Sequence, residues 1–205
     1  MDSVAVKGRL SNPDWATEGQ ESAWVTASRQ GDSLAFNRLV LKWEKSIYNL
    51  TLRMLRDPDE AAEAAQEVFM SAYRNIKRFR HDARFSTWLY RIAVNHCISR
   101  LRKRPPGVHY SLDDHEPDEP ERYSLPVGKS HEEKLLREET QNRVRSALLG
   151  LAPEQRAVVE LKFFQELTFE EISQIMQAPL STVKSRLYSG LDTLKVKLAG
   201  VSPEA

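Results

Sequence analysis

Thr168 to Leu187, TFEEISQIMQAPLSTVKSRL, decides how the chain is read. Thr168 followed three residues later by Glu171 is a capping box, which satisfies the orphan amides of a helix start. Ile172, Ile175 and Met176 make one apolar stripe at helical spacing. Pro179 disfavours a helical Ala178, so the first helix stops there. Ser181 is the expected cap of a second helix with Val183, Leu187 and Leu191 inward. That leaves Thr182, Lys184, Ser185, Arg186 and Tyr188 for an outer surface. Short donors and cations on an exposed helix after a tight turn suit the major groove, as in a helix-turn-helix. The plainer alternative is a helical hairpin whose Lys and Arg are merely solvated.

The 205 residues suffice for one or two domains, and 40% hydrophobic with 29% charged residues is ordinary for a soluble chain. Eight glycines and no alternating strand pattern favour helix. Cys97 is the single cysteine, so no internal disulfide forms, which fits a reducing cytoplasm. No signal-peptide core and no long apolar run is present, so a cytoplasmic protein without membrane insertion is expected. The net charge of +1 conceals segregation. Ala72 to Arg104 carries ten bases and one acid, whereas Pro105 to Glu133 carries eight acids and two bases. Such a layout implies an anionic partner for the basic segment.

Along the chain, residues 1–20 read as a disordered tail and 21–30 as a first helix ended by Gly31, with Asp32 capping the next. Phe36, Leu39, Val40, Trp43, Ile47, Leu50 and Met54 follow the helical period as a buried stripe. Asp57, Pro58 and Glu60 form a capped helix start, with Ala62, Ala65, Phe69, Ala72 and Ile76 as its buried face. The first turns of this helix hold Asp57, Asp59, Glu60, Glu63 and Glu67 without a base. Asp59 and Glu60 suit the helix dipole. Glu63, Gln66 and Glu67 lie further in and point to a protein-binding face.

A loop, Arg78 to Arg84, then leads to the helix FSTWLYRIAVNHCISRLRKR (85–104). Leu89, Ile92, Ala93 and Leu101 are expected inside, and Trp88, Tyr90 and Arg91 cannot all join them. Aromatic rings among cations suit unpaired bases, the rings stacking while Arg holds phosphate. Trp88 as a core anchor is the alternative. His96 beside Cys97 does not make a metal site, because adjacent helical positions diverge. Residues 105–129 are rich in Pro, Asp, Glu and Ser and read as a flexible linker. Beyond it, Ser130 with Glu133 is a capping box. Leu135, Leu136, Val144 and Leu148 mark a helix ending near Gly150. Pro153 opens another, with Val158, Val159 and Leu161 inward. The fold class is therefore all-α: two small helical domains, 21–104 and 130–198, joined by an acidic linker, the second containing the helix-turn-helix.

These pieces together resemble the extracytoplasmic-function group of bacterial sigma factors, from about Trp24 to Leu198 with the linker unmatched. The matching segments are GDSLAF (31–36), EAAEAAQEVF (60–69), RFRHDARFSTWLYRIAVN (78–95), RLRKR (100–104), LAPEQRAVVEL (151–161) and LTFEEISQIMQAPLSTVKSRL (167–187). The resemblance implies a region 2 at 21–104 and a region 4 at 130–198. It implies that Asp57, Asp59, Glu60, Glu63, Gln66, Glu67 and Phe69 dock on the β′ clamp coiled coil of core RNA polymerase. Arg78, Arg80, Arg84, Phe85, Ser86, Trp88, Tyr90, Arg91 and Asn95 would capture and unpair the minus-ten element. The helix from Ser181 would read the minus-thirty-five element. A β-flap contact and an anti-sigma factor are further implied partners. No cofactor, metal or catalytic residue is expected.

Three departures from the family pattern stand out. An acidic quartet is here Glu60-Ala61-Ala62-Glu63, with one carboxylate fewer. Gln177 replaces the usual turn glycine, which is costly if φ is positive there. Ser189, Gly190, Leu191 and Asp192 follow Tyr188 where arginines are common, implying fewer phosphate contacts. Two rivals remain at this point, a stand-alone helix-turn-helix regulator and a sigma-like adaptor that binds only an anti-sigma factor. The first needs a dimerisation or ligand domain, which the sequence does not offer. The retained basic and aromatic segment at 78–104 argues against the second.

Overall fold

A computed structural model describes residues 17–80, 83–104, 143–144 and 146–199. The expected tail up to residue 16, His81 and Asp82, the linker and the Ser130 capping box with Leu135 and Leu136 lie outside these residues. Among the described residues all regular structure is helical.

The first helix, α1 (Glu18–Arg29), starts earlier than the sequence suggests because Thr17 and Gln20 form a capping box. Gly31, at φ 102°, makes the turn, and Asp32 Oδ1 accepts from the amides of Leu34 and Ala35. That cap launches α2 (Ser33–Leu55), whose Phe36, Leu39, Trp43, Ile47, Leu50 and Met54 are buried as the helical period requires. Arg56 closes α2 in the left-handed region at φ 64°. Asp57 caps α3 (Pro58–Asn75) by accepting from the Glu60 amide at 2.7 Å. The Glu60 side chain does not close the expected box; it turns to Arg104 instead.

The buried face of α3 also departs from expectation. It consists of Ala61, Ala64, Ala65, Val68 and Ala72, while Ala62 is exposed and Phe69 is half-buried. A short 3-10 turn, Ile76–Arg78, leads out of α3. In α4 (Phe85–Lys103) the interior face is Leu89, Tyr90, Ala93, Val94, Cys97 and Ile98, with Ile92 and Leu101 at its margin. Burial pushes the Cys97 thiol up to about 12, so it stays a protonated, inert core residue.

Past a helical stretch at 146–149, α5 (Pro153–Val159) runs directly into a wide π turn, Glu160–Phe164. Two helices follow, α6 (Phe169–Met176) and α7 (Leu180–Ala199). Val158, Val159 and Leu161 are buried as expected.

The two halves are not held apart. α5 and α6 pack on α4, and the buried residues of both halves form one continuous apolar cluster from Val25 to Leu194. A polar seam runs through this junction. Arg53 Nε lies 2.7 Å from Glu160 Oε1, which also accepts from Gln165 Nε2 at 3.3 Å. Tyr90 Oη donates to Gln165 Oε1 at 2.7 Å. Arg156 donates to the carbonyls of Leu148 (3.1 Å), Leu149 (2.6 Å) and, across the junction, Met54 (2.7 Å). Burial raises the Glu160 carboxyl above the usual carboxylate range, with Arg53 opposing the shift. Burial, reinforced by the Glu160 charge, likewise raises the Tyr90 phenol.

Candidate nucleic-acid interface

The helix-turn-helix is built by three local devices. Thr168 Oγ1 accepts from the Glu171 amide at 3.2 Å while the Glu171 carboxylate accepts from the Thr168 amide at 2.9 Å. Gln177 ends α6 in the left-handed region at φ 48° and ψ 44°, the conformation its side chain makes costly. Ser173 Oγ donates to the Ala178 carbonyl at 2.6 Å, tying the turn back onto α6. The turn comes one residue before the expected stop. The next helix begins at Leu180, so Ser181 lies in its first turn rather than capping it.

One face of α7 is sealed. Val183, Leu187, Gly190 and Leu194 are buried, and Leu191 only partly so. A Cβ on Gly190 would lie 3.5 Å from both Gln155 Cβ and Val159 Cγ2, so the glycine marks close approach of α7 to α5. The opposite face holds Ser181, Lys184, Ser185 and Tyr188 exposed, with Thr182 and Arg186 half-buried. The six residues read as a DNA surface therefore share a solvent-facing side of one helix. Two residues outside that set stand next to it. Lys184 Nζ sits 5.5 Å from the centroid of Phe169, and Lys162 Nζ sits 5.0 Å from the same ring. The sequence gives no pairing signal here, because Lys162 precedes the motif and the π turn alters its phase.

In the other half, Arg78, Arg80, Arg84 and Asn95 are exposed, and Trp88 and Arg91 are half-buried. The rings of Phe79, Phe85 and Trp88 form a cluster, with centroids 5.1 to 6.1 Å apart, that clamps the two ends of the loop together. Three expected base-facing residues are not on this surface. Phe85 (5% exposed), Ser86 (2%) and Tyr90 (1%) are buried. Phe85 is held by the ring cluster, and Tyr90 packs edge-on against Trp43 at 5.9 Å while bonding Gln165.

The acidic surface of α3 presents Asp59, Glu63 and Gln66 exposed, with Asp57, Glu60, Glu67 and Phe69 half-buried. Its carboxylates are met by the end of α4. Arg100 reaches Glu63 and Glu67 at 2.8 Å each and Glu60 at 3.9 Å, and Arg104 pairs with Glu60. His96 Nδ1 lies 3.5 Å from Glu67. The hydrogen bond from Arg100 holds the Glu67 carboxyl below its ordinary value. The basic end of α4 is thus turned partly onto its own chain. Arg102, too, pairs with Glu154 of α5. No group of three or more His, Cys, Asp or Glu side chains able to hold a metal ion occurs among the described residues.

An acidic helix, a loop of cations over an aromatic cluster, and a helix-turn-helix follow one another along this chain. Residues 39–105 match the family model described as Sigma-70 region 2, and residues 141–194 match Sigma-70, region 4. The RNA polymerase sigma-H factor of Pseudomonas aeruginosa is 36% identical over 193 residues, covering 92% of this chain and 99% of that one. This chain belongs to the extracytoplasmic-function group of the sigma-70 family.

Other relatives agree. The extracytoplasmic-function sigma factor SigW of Bacillus subtilis is 37% identical over 172 residues, covering 83% of this chain and 92% of SigW. Sigma-E of Escherichia coli K12 is 32% identical over 177 residues, covering 85% and 92%. Among solved structures, CnrH in complex with the cytosolic domain of CnrY superposes with a TM-score of 0.65 at 18% identity, covering 89% of this chain and 99% of that one. RpoE with the anti-sigma factor NepR from Bartonella quintana gives 0.59 at 20% identity, covering 80% and 96%. At these identities the two structures speak for the all-helical fold. As a sigma factor the chain binds core RNA polymerase and promoter DNA and directs transcription initiation; the family is not an enzyme class. No helix among the described residues is long and apolar enough to cross a membrane.

Proposed function

We propose a division of labour among the surfaces of this sigma factor. The acidic face of α3, through Asp57, Asp59, Glu60, Glu63, Gln66 and Glu67 with Phe69 beneath, docks on the β′ clamp coiled coil of core polymerase. Arg78, Arg80, Arg84, Trp88, Arg91 and Asn95 hold the minus-ten element while its bases unpair. Bases lost from the duplex regain stacking on Trp88, and the arginines neutralise backbone charge. Exposed Ser181, Lys184, Ser185 and Tyr188, flanked by Thr182 and Arg186, read the minus-thirty-five element in the major groove. The regions span 21–104 and 130–198, an anti-sigma factor is the regulating partner, and the cytoplasm is the working compartment.

The observation that carries this reading is the two-sidedness of α7: Val183 and Leu187 are sealed inside while Lys184, Ser185 and Tyr188 stand in solvent. A groove-reading helix needs that arrangement. The test adds the purified protein to sigma-free core polymerase, transcribes a genomic fragment library and maps the start sites. Starts sharing two spaced upstream motifs, altered at the upstream motif by Lys184→Ala or Arg186→Ala, support the assignment. Unchanged promoter choice in both variants would remove α7 from the reading role.

A further inference from the structure

Along α3 the charge changes sign. The carboxylates at its start are met by Arg100 and Arg104, whereas its far end is surrounded by cations. Other elements gather at that end. The Gly31 turn joins the end of α1 to the start of α2. The Phe36 ring, near the start of α2, meets the Tyr73 ring of α3 edge-on, with centroids 5.0 Å apart. α1 also packs on the Ile76–Arg78 turn that leaves α3. The segments brought together, 25–38 and 69–80, hold Arg29, Arg38, Arg74, Lys77, Arg78 and Arg80 against one acid, Asp32. The Asp32 carboxylate is already engaged, accepting from the amides of Leu34 and Ala35.

We propose that this end of the first half is a phosphate-binding patch that grips the DNA backbone beside the minus-ten element through Arg29, Arg74 and Lys77. The inference rests on the assignment of the 78–95 surface to that element. Among the described residues no carboxylate pairs with Arg29, Arg74 or Lys77, while Lys42 in the same half has Glu21. Arg74 and Lys77 are exposed, and the buried Nε of half-buried Arg29 has no hydrogen-bond partner. A buried donor is seldom left unmet. Helix dipoles explain one cation in the last turn of α1 and one in that of α3, but not Lys77, Arg78 and Arg80 beyond them. Like charges gathered without counter-charges point to an external anion. Tyr73, 51% exposed, stands among them, and a ring between cations suits a nucleic-acid strand better than an acidic protein surface. The patch is continuous with the minus-ten loop. Lys77 and Arg78 share one 3-10 turn, and the next residue, Phe79, is fixed by the rings of Phe85 and Trp88. A strand held at Arg78 and Trp88 therefore has its neighbouring phosphates over Lys77 and, one turn back along α3, over Arg74. Backbone contacts carry no sequence information, so the patch raises affinity for every promoter alike.

The test uses holoenzyme assembled from core polymerase and the full chain. Its affinity is titrated for a fragment of a mapped promoter whose minus-ten element is held unpaired by mismatches. Each phosphate contact adds roughly 0.7 to the salt slope of a single strand, so two contacts are worth about sevenfold in affinity between about 50 and 200 mM salt. The affinity lost across that range should therefore be about sevenfold smaller in Arg74→Ala/Lys77→Ala than in the parent. Both residues are exposed, so neither removal opens the core. Arg74→Lys/Lys77→Arg keeps the charges and should keep the parent slope, as should Lys45→Ala on the middle of α2. Neutral methylphosphonate linkages, placed one at a time, then locate the contact. Positions just outside the element should weaken parent binding about twofold or more, and the same positions should be silent in the double variant. A slope unchanged by removing both charges, while Trp88→Ala still weakens capture, would overturn the patch and leave the loop assignment standing. Undiminished capture by Trp88→Ala would overturn that assignment instead. Weaker binding of the double variant to core polymerase, at an unchanged DNA slope, would make the partner a protein and overturn the proposal.

Discussion

Arg100 and Glu67 meet across α3 and α4 at 2.8 Å, so the carboxylate expected to attract polymerase is already engaged by a guanidinium of the same chain. Glu63, 65% exposed at its side chain, shares that guanidinium. Arg100 therefore competes with any external cation for this face. Arg100→Ala should tighten binding to core polymerase by about two- to fivefold, the equivalent of the 0.5–1 kcal/mol typical of a partly exposed pair. Titration of labelled protein with core polymerase measures it. Weaker binding would mean that Arg100 orients the carboxylates rather than masking them.

Glu160 gives the packing of the two halves on one another a pH dependence. Its carboxyl is raised on burial, so the protonated form favours the packed halves and the ionised form favours parting. Packing should gain as pH falls toward the ordinary value of 4.5 and weaken as pH rises through the packed-state value. Arg53 and Arg56 on α2 limit the shift, and Tyr90 and Cys97 on α4 also lie within its field. The Glu67 pair titrates with the opposite sign but lies within the first half alone. The distance between spin labels at exposed Leu41→Cys and Val196→Cys should shift toward its packed value in the parent as pH falls, and Glu160→Gln should flatten the response. An identical response in both proteins would assign the dependence elsewhere.

Gln177 sits at φ 48°, where a glycine carries no steric penalty. Gln177→Gly should raise stability by about 1 kcal/mol, the lower end of the cost of a left-handed residue with a Cβ. Thermal unfolding of the full chain reads it directly. No gain would show that the Gln side chain makes compensating contacts.

Phe169 seats two ammonium groups, and each such contact is worth about 0.5–1 kcal/mol at an exposed site. Phe169→Leu keeps the apolar bulk and loses the quadrupole. Holoenzyme carrying it should bind minus-thirty-five duplex roughly three- to tenfold more weakly, with an unchanged salt slope because no charge is lost. Lys162→Ala should instead lower the slope by about one. If neither variant alters binding, the Lys162–Phe169–Lys184 cluster serves only to pack α6.

What the sequence discloses follows how local the causes are. The Thr168 box, the Asp32 and Asp57 caps and the stripes of α2 and α7 depend on neighbours a turn away, and all are legible. The phase of α3 is less so, since alanines at 61, 62, 64 and 65 satisfy more than one apolar face and the competing helices choose among them. Tyr90 misleads for a different reason. Arginines surround it in sequence, but its deciding partner, Gln165, lies 75 residues away. The π turn at Glu160–Phe164 carries no local signal, as α5 would continue in ordinary register without the tertiary pull on Glu160 and Gln165.

That turn also places Glu160 and Gln165 side by side against Arg53 and Tyr90. The Gln165 amide bonds back to the Glu160 carbonyl at 3.2 Å and the Leu167 amide to the Leu161 carbonyl at 3.1 Å, so the backbone accommodates one residue more than an α-helical turn would. Each helical residue advances the chain by about 100°. Because the wide turn absorbs its extra residue locally, deleting one residue between 160 and 164 would restore α-helical winding with little change in the aim of α6 and α7, and would instead take Glu160 and Gln165 out of the register in which they meet Arg53 and Tyr90. A one-residue deletion there should therefore loosen the contact between the two halves while sparing the motif itself.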